Sequence, residues 1–240
     1  MQVYLTIIRY PKRWIPFALL GMAIHRLPLL ISKKITFFKL MGSGKNGTFD
    51  KSLDWQQWAI LTVSSSTIDM NGKNSKGLMQ NLYGAFIGSW LRWFNCETLT
   101  IFLQPLEGHG RWDGKEPFGD LAKQTAYEGP IAVLTRATIR ISKLTTFWKN
   151  VDAVAMQMAG AEGFVTSFGI GEVPFIKQAT FSIWHSKEAM KQFAYKMREH
   201  KEVIQKTRKE NWYSEDMFVR FIPLHAVGSL KGKNPLEGML

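Results

Sequence analysis

The sequence predicts an α+β fold in which two ferredoxin-like units, related as a duplication, close into one barrel with the helices outside. Strand-like and helical segments follow one another as strand, helix, strand, strand, helix, strand, and this order occurs twice. A Gly-x-Gly pair stands between the second and third strands of both halves, at 42–44 and 169–171, where we interpret it as turn chemistry. The 240 residues are 45% hydrophobic, which is enough for one large core.

The elements of the first half follow from hydrophobic periodicity. Apolar residues with a period of two predict strands, and apolar residues three and four apart predict helices. On this basis strands are expected at 3–9, 35–40, 58–63 and 99–103, and helices at 12–24 and 76–94.

The second half repeats this order after a connector rich in Gly and Pro. We therefore expect a first unit at 1–104, the connector at 105–129, a second unit at 130–226 and a flexible tail at 227–240. Strands are expected at 131–139, 163–168, 179–184 and 217–223, and helices at 144–158 and 187–208.

Composition narrows the classes of function. The one cysteine, Cys96, excludes a disulfide framework, an iron–sulfur cluster and a cysteine-rich zinc site, and it favours a cytoplasmic location. The formal net charge of +12 suits nucleic acid, an anionic membrane surface or an anionic ligand. Because the basic residues are dispersed and no recognition motif accompanies them, we do not expect nucleic acid as a partner.

The segment 14–31 is apolar but contains His25 and Arg26. A membrane-spanning helix would have to hold these two side chains in lipid, and no small-residue cleavage site of a signal peptide follows. Two interpretations stay open. The segment is a core helix, which the sequence favours, or it lies against a membrane surface between the basic pairs at 12–13 and 33–34.

A histidine in the last predicted helix lies on the apolar face of that helix. At about 100° per residue, one narrow face carries Phe193, Met197, His200, Ile204 and Thr207. An imidazole there must hydrogen-bond inside the protein or bind a ligand, most naturally a metal. A histidine that is simply satisfied within the core is the alternative.

Two further polar residues are candidates for function. His109 lies in a Gly-rich stretch of the long connector, where it either bonds to backbone or stands at a cavity entrance. Arg136 interrupts the first strand of the second half. Because side chains alternate along a strand, Arg136 either points into the barrel beside Leu134 or lines a solvated face with Arg140.

Several short motifs recur in the same order in one known family. They are Arg9-Tyr10-Pro11, Gly42-Ser43-Gly44, Gly47-Thr48-Phe49, His109-Gly110-Arg111-Trp112, Pro117-Phe118, Leu134-Thr135-Arg136-Ala137, Gly169-Ile170-Gly171-Glu172, Gln178-Ala179-Thr180-Phe181-Ser182, His200-Lys201-Glu202-Val203-Ile204 and Trp212-Tyr213-Ser214-Glu215. Together they resemble the spheroidene monooxygenase family, the acyclic-carotenoid 2-ketolases of purple bacteria and their relatives. The resemblance covers nearly the whole chain, from Tyr4 to about Leu224.

The resemblance implies a haem-dependent monooxygenase with a dimeric α+β barrel fold, closed here by two units of one chain. It implies that His200 is the axial ligand of the iron of haem b, and that Met197 and Phe193 lie along the porphyrin face. Arg136 and His109 are then expected to be catalytic, as distal donors of hydrogen bonds to the oxidant. The expected cationic partners of the haem propionates are Arg140, Lys177 and Lys39.

The same resemblance implies an apolar, carotenoid-like substrate, with dioxygen or peroxide as oxidant and an external electron donor. The basic charge and the apolar N-terminal segment suit a substrate collected at a membrane, and the outer helices leave a homodimer open. Three alternatives remain. His25 is the alternative axial ligand. The alternative reaction is that of an aldoxime dehydratase-like enzyme. The third alternative is a protein that binds haem or a lipid without catalysing a reaction.

Overall fold

The computed structural model describes residues 1–45, 47, 52–66, 75–196, 207 and 209–240, with the side chains of 75–76, 151–157 and 195–196 excepted. The first half forms the strands β1 (Gln2–Arg9), β2 (Ile35–Gly44), β3 (Leu53–Ser64) and β4 (Glu97–Gly110), and the helices α1 (Ile15–Ile24), α2 (Arg26–Ile31) and α3 (Ser75–Trp93). The second half forms the strands β5 (Ile131–Ile139), β6 (Phe164–Val173), β7 (Lys177–Trp184) and β8 (Tyr213–Gly228), and the helices α4 (Leu144–Ala159) and α5 (Lys187–Lys196).

The eight strands close into one antiparallel barrel in the order β1-β3-β2-β6-β7-β5-β8-β4. Two seams join the halves. The β4–β8 seam is long and runs from Leu99 paired with Gly228 to Gly110 paired with Met217. The β2–β6 seam consists of two residue pairs. The expected order of elements and the closed barrel with outer helices are confirmed.

The interpretation of the two Gly-x-Gly pairs as turns was wrong. Both lie inside strands, and they pair with each other across the β2–β6 seam, where Gly42 is opposite Gly171 and Ser43 is opposite Ile170. The Ser43 hydroxyl also donates a hydrogen bond to the carbonyl of Gly169 at 3.0 Å. The sequence alone did not indicate strands here because the partner strand is more than a hundred residues away.

The strands extend beyond their expected limits because each gains a partner on both edges in a closed barrel. β4 continues through the first six residues of the expected connector, and β8 continues into the expected flexible tail. That tail does not leave the protein surface freely, since Leu236 is buried in the barrel core. The helix α2 lies beyond the helix expected at 12–24 but within the apolar segment 14–31. As the third residue of α2, Pro28 falls in the first turn, where a missing N–H is tolerated.

The barrel interior is a packed core. Its inward side chains include Leu5, Leu61, Leu134 and Phe181, all fully buried. The connector closes one end of the barrel, and Trp112 reaches the core with no exposed surface.

On the outer side of the first half, one continuous apolar cluster joins the sheet to α1, α2 and α3. Tyr4, Ile8 and Ile60 supply large side chains from the strands, and Leu78 and Ile87 supply them from α3. This half of the outer surface is therefore filled by side chains of the protein itself.

Gly110 allows the connector to enter the barrel end, and we predict that Gly110→Ala strongly destabilises the fold. Its φ is +97°, and an added Cβ would lie 2.7 Å from the Cα of Met217. Gly114→Ala is the matched control, because its φ is +74° but its Cβ would meet nothing within 4 Å. We expect the control to lose about 1 kcal/mol from backbone strain alone, and Gly110→Ala to lose about 2 kcal/mol more from the clash. Urea denaturation measures both, and equal losses would contradict the close packing of β4 on β8.

Candidate functional site

One row of residues crosses the outer face of the second half of the barrel. The strand register aligns Gly169 of β6, Thr180 of β7, Thr135 of β5, Phe218 of β8 and His109 of β4. We call these five residues the threonine row. Thr135 is solvent-exposed although it lies in the middle of a central strand, and the Thr180 hydroxyl is buried with no hydrogen-bond partner among the described residues.

Apolar clusters cover this face at both ends, and within the threonine row they leave Thr135 exposed. At one end Val133 packs with Trp184, Met190 and Phe193. At the other end Ile139 packs with residues of α4 and with Trp212. Among the side chains that the structure describes, none covers Thr135 between these clusters.

On the outer face of the first half, helix side chains cover the middle of the sheet. Thr6, in the middle of β1, is fully buried, and its hydroxyl shares hydrogen bonds with Tyr83 of α3 at 2.6 Å and with Thr100 at 2.8 Å. The equivalent face of the second half has small residues and an exposed threonine instead. Among the described side chains, this face is therefore less completely covered than that of the first half.

Two of the predicted site residues lie on this face. Phe193 of α5 is inward-facing and buried, with its ring 5.2 Å from that of Trp184. His109 is exposed at the end of β4, and its ring lies 5.9 Å from that of Phe218. His200 and Met197 lie outside the described residues. The described residues before and after that stretch lie at opposite ends of the face. Before it, α5 packs beside Trp184. After it, the carbonyl of Thr207 accepts a hydrogen bond from the Trp212 N–H at 3.1 Å.

No group of three or more His, Cys, Asp and Glu side chains in the described part of the chain is arranged to hold a metal ion. A haem iron needs only one protein ligand, so the geometry of such clusters does not bear on it.

A buried ionic triad borders the threonine row. Glu107 and Lys187 have no exposed surface, and the Lys187 ammonium lies 2.9 Å from the Glu107 carboxylate. Arg220 bonds the other carboxylate oxygen, and Thr125 donates to Glu107 through its N–H and its hydroxyl. Burial alone would raise the pKa of Glu107, but hydrogen bonds from Lys187, Arg220 and Thr125 outweigh it and lower the pKa to about 2.

The triad carries one surplus positive charge at the edge of the face. Two cations share one carboxylate, and the Arg220 Nε has no hydrogen-bond partner among the described residues. The Arg220 guanidinium lies 4.7 Å from the centre of the Phe218 ring, which belongs to the threonine row. In the sequence, the helical spacing that puts Phe193 on the apolar face puts Lys187 on the polar face. That prediction is wrong, because Lys187 begins α5 and reaches a carboxylate 80 residues earlier in the chain.

Arg136 points into the barrel, on the opposite side of β5 from Thr135. It is 1% exposed, bonds Glu215, and lies 3.4 Å from Asp113 and 4.0 Å from Glu172. This decides between the two orientations that the sequence left open. Its neighbours there are three carboxylates and the Trp112 ring, which lies 5.6 Å from the guanidinium carbon.

Lys39 and Lys177 complete the same ionic cluster at the barrel end. Lys39 bonds Asp113 and lies 2.6 Å from Glu172, and Lys177 lies 2.7 Å from Asp113. The Trp112 indole N–H donates to Glu172 at 2.6 Å. Three cations thus meet three carboxylates, and the cluster holds the connector across the barrel end.

Hydrogen bonds hold the carboxylates of this cluster in their charged form. Burial alone would raise the pKa of Asp113, but Lys177 and Lys39 outweigh it and lower the pKa to about 2. Burial likewise opposes ionisation of Glu215, and the N–H groups of Gly114 and Asp113, together with Arg136, lower its pKa.

The structure therefore divides the predicted site residues into two groups. Arg136, Lys39 and Lys177 meet inside the barrel, whereas Phe193 and His109 lie on its outer face. The remaining predicted cation, Arg140, joins neither. It is exposed beyond the end of β5, and its Nε donates to the carbonyl of Tyr213 at 3.2 Å.

The rival ligands are both in the first half. His25 is 2% exposed between α1 and α2, beside a cavity of about 10 Å³, and burial lowers its pKa to about 4. Its Nε2 has no partner among the described residues. Burial also raises the pKa of the Cys96 thiol to about 12, which opposes a thiolate ligand.

Sequence reasoning missed Thr135, Thr180 and Arg220, which the structure places on the outer face. A signal for the first two existed, since the alternation of β7 puts Gln178, Thr180 and Ser182 on the face that contacts helices. Polar residues on such a face indicate contact with something other than an apolar helix.

We predict that Arg136→Met destabilises the protein by about 2 kcal/mol at neutral pH, because it leaves the partly buried Glu215 carboxylate without its cation. The Glu215 pKa is lowered in the native protein. Its ionisation therefore stabilises the fold above the unfolded pKa of about 4.3, and this stabilisation is lost as the pH falls below it. Urea midpoints at pH 7, 5 and 4 should show a difference between wild type and variant that shrinks with acid.

Arg140→Met is the matched control, and its stability should change by at most about 0.5 kcal/mol at any pH. A loss in Arg136→Met that is the same at all three pH values would contradict the ionic role of Arg136.

Two solved structures share the fold. The crystal structure of an aldoxime dehydratase matches with a TM-score of 0.60 and 9% identity, covering 98% of this chain and 86% of that protein. An aldoxime dehydratase in complex with butyraldoxime matches with a TM-score of 0.57 and 9% identity, covering 98% of this chain and 84% of that protein. At this level of identity the likeness extends to the fold alone.

The sequence itself is similar to two enzymes over most of its length. Spheroidene monooxygenase of Rhodobacter capsulatus is 33% identical over 227 residues, which cover 92% of this chain and 89% of that enzyme. Spheroidene monooxygenase of Cereibacter sphaeroides is 33% identical over 238 residues, which cover 98% of this chain and 70% of that enzyme. No protein-family model matches the chain. At this identity and coverage, the chain belongs to the spheroidene monooxygenase family.

Proposed function

We propose that this protein is a haem-dependent monooxygenase that inserts oxygen at an activated C–H bond of an apolar, carotenoid-like substrate. Its relatives support the reaction and the substrate class. The observation that supports the placement of the cofactor is the exposed Thr135 in the middle of the threonine row, on a face that helices fill in the first half of the barrel.

The residues on the outer face fit a haem group. Phe193 and Phe218 supply aromatic side chains beside Thr135, and Thr135 and Gly169 are small. His200, from the stretch that connects α5 to β8, would hold the haem iron through an imidazole nitrogen. Neutral imidazole is a suitable ligand for haem iron when its other ring nitrogen donates a hydrogen bond.

Arg220 is the propionate partner that the structure favours. Its surplus positive charge and its unpartnered Nε border the threonine row. Lys39 and Lys177 already bond carboxylates inside the barrel, so we no longer expect them to contact the propionates. Arginine suits this role because its planar guanidinium can donate two parallel hydrogen bonds to one carboxylate.

The chain's own residues would control protons and water around the cofactor. When bound, haem supplies the activation of dioxygen or peroxide. With dioxygen, two electrons from the external donor and two protons yield the hydroxylated substrate and one water. The hydroxyls of Thr135 and Thr180 are placed to donate hydrogen bonds towards the face, and His109 stands at its edge as a proton carrier. Phe193, Phe218 and Trp184 make one end of it apolar.

Arg136 is better explained as a structural residue than as a distal donor. Its guanidinium lies on the inner face of β5 and is surrounded by Glu215, Asp113 and Glu172. Of the two catalytic residues expected from the resemblance, His109 is the one on the proposed cofactor face.

We predict that His200→Ala abolishes tight haem binding. Reconstituted wild-type protein should show a Soret band that shifts on reduction. The variant should bind haem at least on the order of a hundredfold more weakly, because even residues that only orient a metal ligand contribute ten- to hundredfold. Absorption and magnetic circular dichroism titrations with haemin measure this without any assay of turnover.

His185→Ala is the matched control, since His185 is exposed just beyond β7. His25→Ala tests the rival ligand. A normal Soret band in His200→Ala together with its loss in His25→Ala would place the cofactor in the first half and refute our proposal.

We predict that Thr135→Phe prevents haem binding while the fold is retained. The added ring would occupy the uncovered strip. Because Thr135 is exposed, stability should change by at most about 0.5 kcal/mol. Thr135→Ser keeps the small volume and the hydroxyl, and should bind haem like the wild type. Full haem content in Thr135→Phe, measured by pyridine haemochrome, would show that the cofactor does not lie over the threonine row.

A further inference from the structure

The helices α1 and α2 have their large apolar side chains on the outside. Few residues of this helix pair are buried against the rest of the protein. They are Ala18, Gly21, His25 and Leu29. Gly21 is required for this contact, since an added Cβ would lie 3.2 Å from the Tyr10 hydroxyl. This is the reverse of a typical surface helix, whose apolar stripe faces the core.

The outward side chains form one exposed apolar surface. Leu27, Leu30 and Ile31 are 65%, 68% and 71% exposed. Phe17, Leu19 and Leu20 extend the surface along α1 with exposures of 38%, 46% and 47%. We call these six residues the α1–α2 surface. Contiguous apolar patches of this kind mark sites of protein–protein or membrane interaction.

Aromatic residues of α3 continue this surface. Phe17 stacks against Phe94 at 4.8 Å and contacts Trp90, and Phe86 packs beside Trp90. Phe86 is 50% exposed, and Trp93, near the same end of α3, is 80% exposed. Aromatic rings at the border of an apolar surface are typical of contact with the lipid headgroup region.

The charge around this surface has one sign. Between Lys12 and Lys34 the sequence has five basic residues and no Asp or Glu. Lys12, Arg13 and Arg26 are exposed, as are Lys33 and Lys34. The α3 segment Ser75–Trp93 also has no carboxylate. An anionic partner is therefore complementary to the whole surface.

The geometry favours a helix pair that lies on a bilayer over one that spans it. The stretch Lys12–Ile31 is long and apolar enough to cross a membrane by length and composition, with a mean hydropathy of 1.6. However, both α1 and α2 pack against the sheet of the first half. Removing them from the sheet would expose Ile8, Leu40 and Ile60 of the first-half core.

We propose that the α1–α2 surface docks this protein on the surface of a membrane that contains anionic lipids. The apolar side chains enter the boundary between headgroups and acyl chains, and the basic residues contact lipid phosphates. A second copy of the chain is a poorer occupant, because two such surfaces would bring ten positive charges together without a carboxylate. The proposal stands on the first half of the barrel and does not depend on the cofactor or the reaction.

Flotation of the full chain with vesicles tests the proposal. We expect binding to vesicles of phosphatidylglycerol and phosphatidylcholine in equal parts, and binding at least tenfold weaker to phosphatidylcholine alone. High salt should weaken it, since each basic residue near an anionic surface contributes about a factor of five. Washing with alkaline carbonate should release the protein, as it does for proteins that do not span the bilayer.

Two variants separate the apolar and the electrostatic contributions. Leu27→Ser with Leu30→Ser and Ile31→Ser should reduce partitioning at least tenfold, and so should Lys33→Glu with Lys34→Glu. Because all five side chains are exposed, the fold should be retained, which circular dichroism checks.

Matched controls lie elsewhere on the surface. Ile141→Ser removes a side chain that is 76% exposed beside α4. Lys115→Glu with Lys123→Glu reverses two exposed charges of the connector. Neither should change vesicle binding. Equal effects in controls and variants would show that only net charge or general hydrophobicity matters, and would overturn the proposal.

Three other results would also overturn it. Protein that resists the carbonate wash would span the membrane. Protein that ignores vesicles but doubles in mass by light scattering, with the doubling lost in the triple serine variant, would show that the surface joins two copies. Absence of both vesicle binding and self-association would show that the surface has neither partner.

Discussion

Closure of the sheet is the constraint on which the rest of the structure depends. Each half of the barrel contributes four strands with one apolar face, and only closure turns both of these faces away from water. The interior that results is filled by strand side chains and by Trp112 of the connector. This packed interior is why the proposed cofactor site is on the outside of the barrel, between a sheet and its helices.

The helices cover the two outer faces of the barrel to different extents. In the first half the helices fill the face completely, and Tyr83 even satisfies the hydroxyl of Thr6. The helices of the second half anchor at both ends of their face and leave Thr135 between the anchors. The halves share an order of elements, but the second half leaves Thr135, in the middle of β5, exposed on its outer face, whereas Thr6 of the first half is fully buried.

The sequence predicted the order of the elements well, because these follow from local periodicity. Phe193 is buried as its spacing indicates. The orientation of Arg136 did not follow from the pattern, because both faces of β5 carry buried apolar residues, Leu134 on one and Ala137 on the other. Lys187 and the Gly-x-Gly pairs were misread for a related reason. Their partners are distant in the chain, and no window of sequence contains both members of such a pair.

The unequal seams have a mechanical consequence. Eleven residue pairs join β4 to β8, whereas two join β2 to β6. The short seam is supported by the Ser43 hydroxyl and by the ion pair between Lys39 and Glu172. Separation of the halves thus requires few bonds to break at β2 and β6, with β4 and β8 acting as the hinge. The pairs of glycines mark the line along which the barrel opens most easily, and the ionic cluster at its end is what resists that opening.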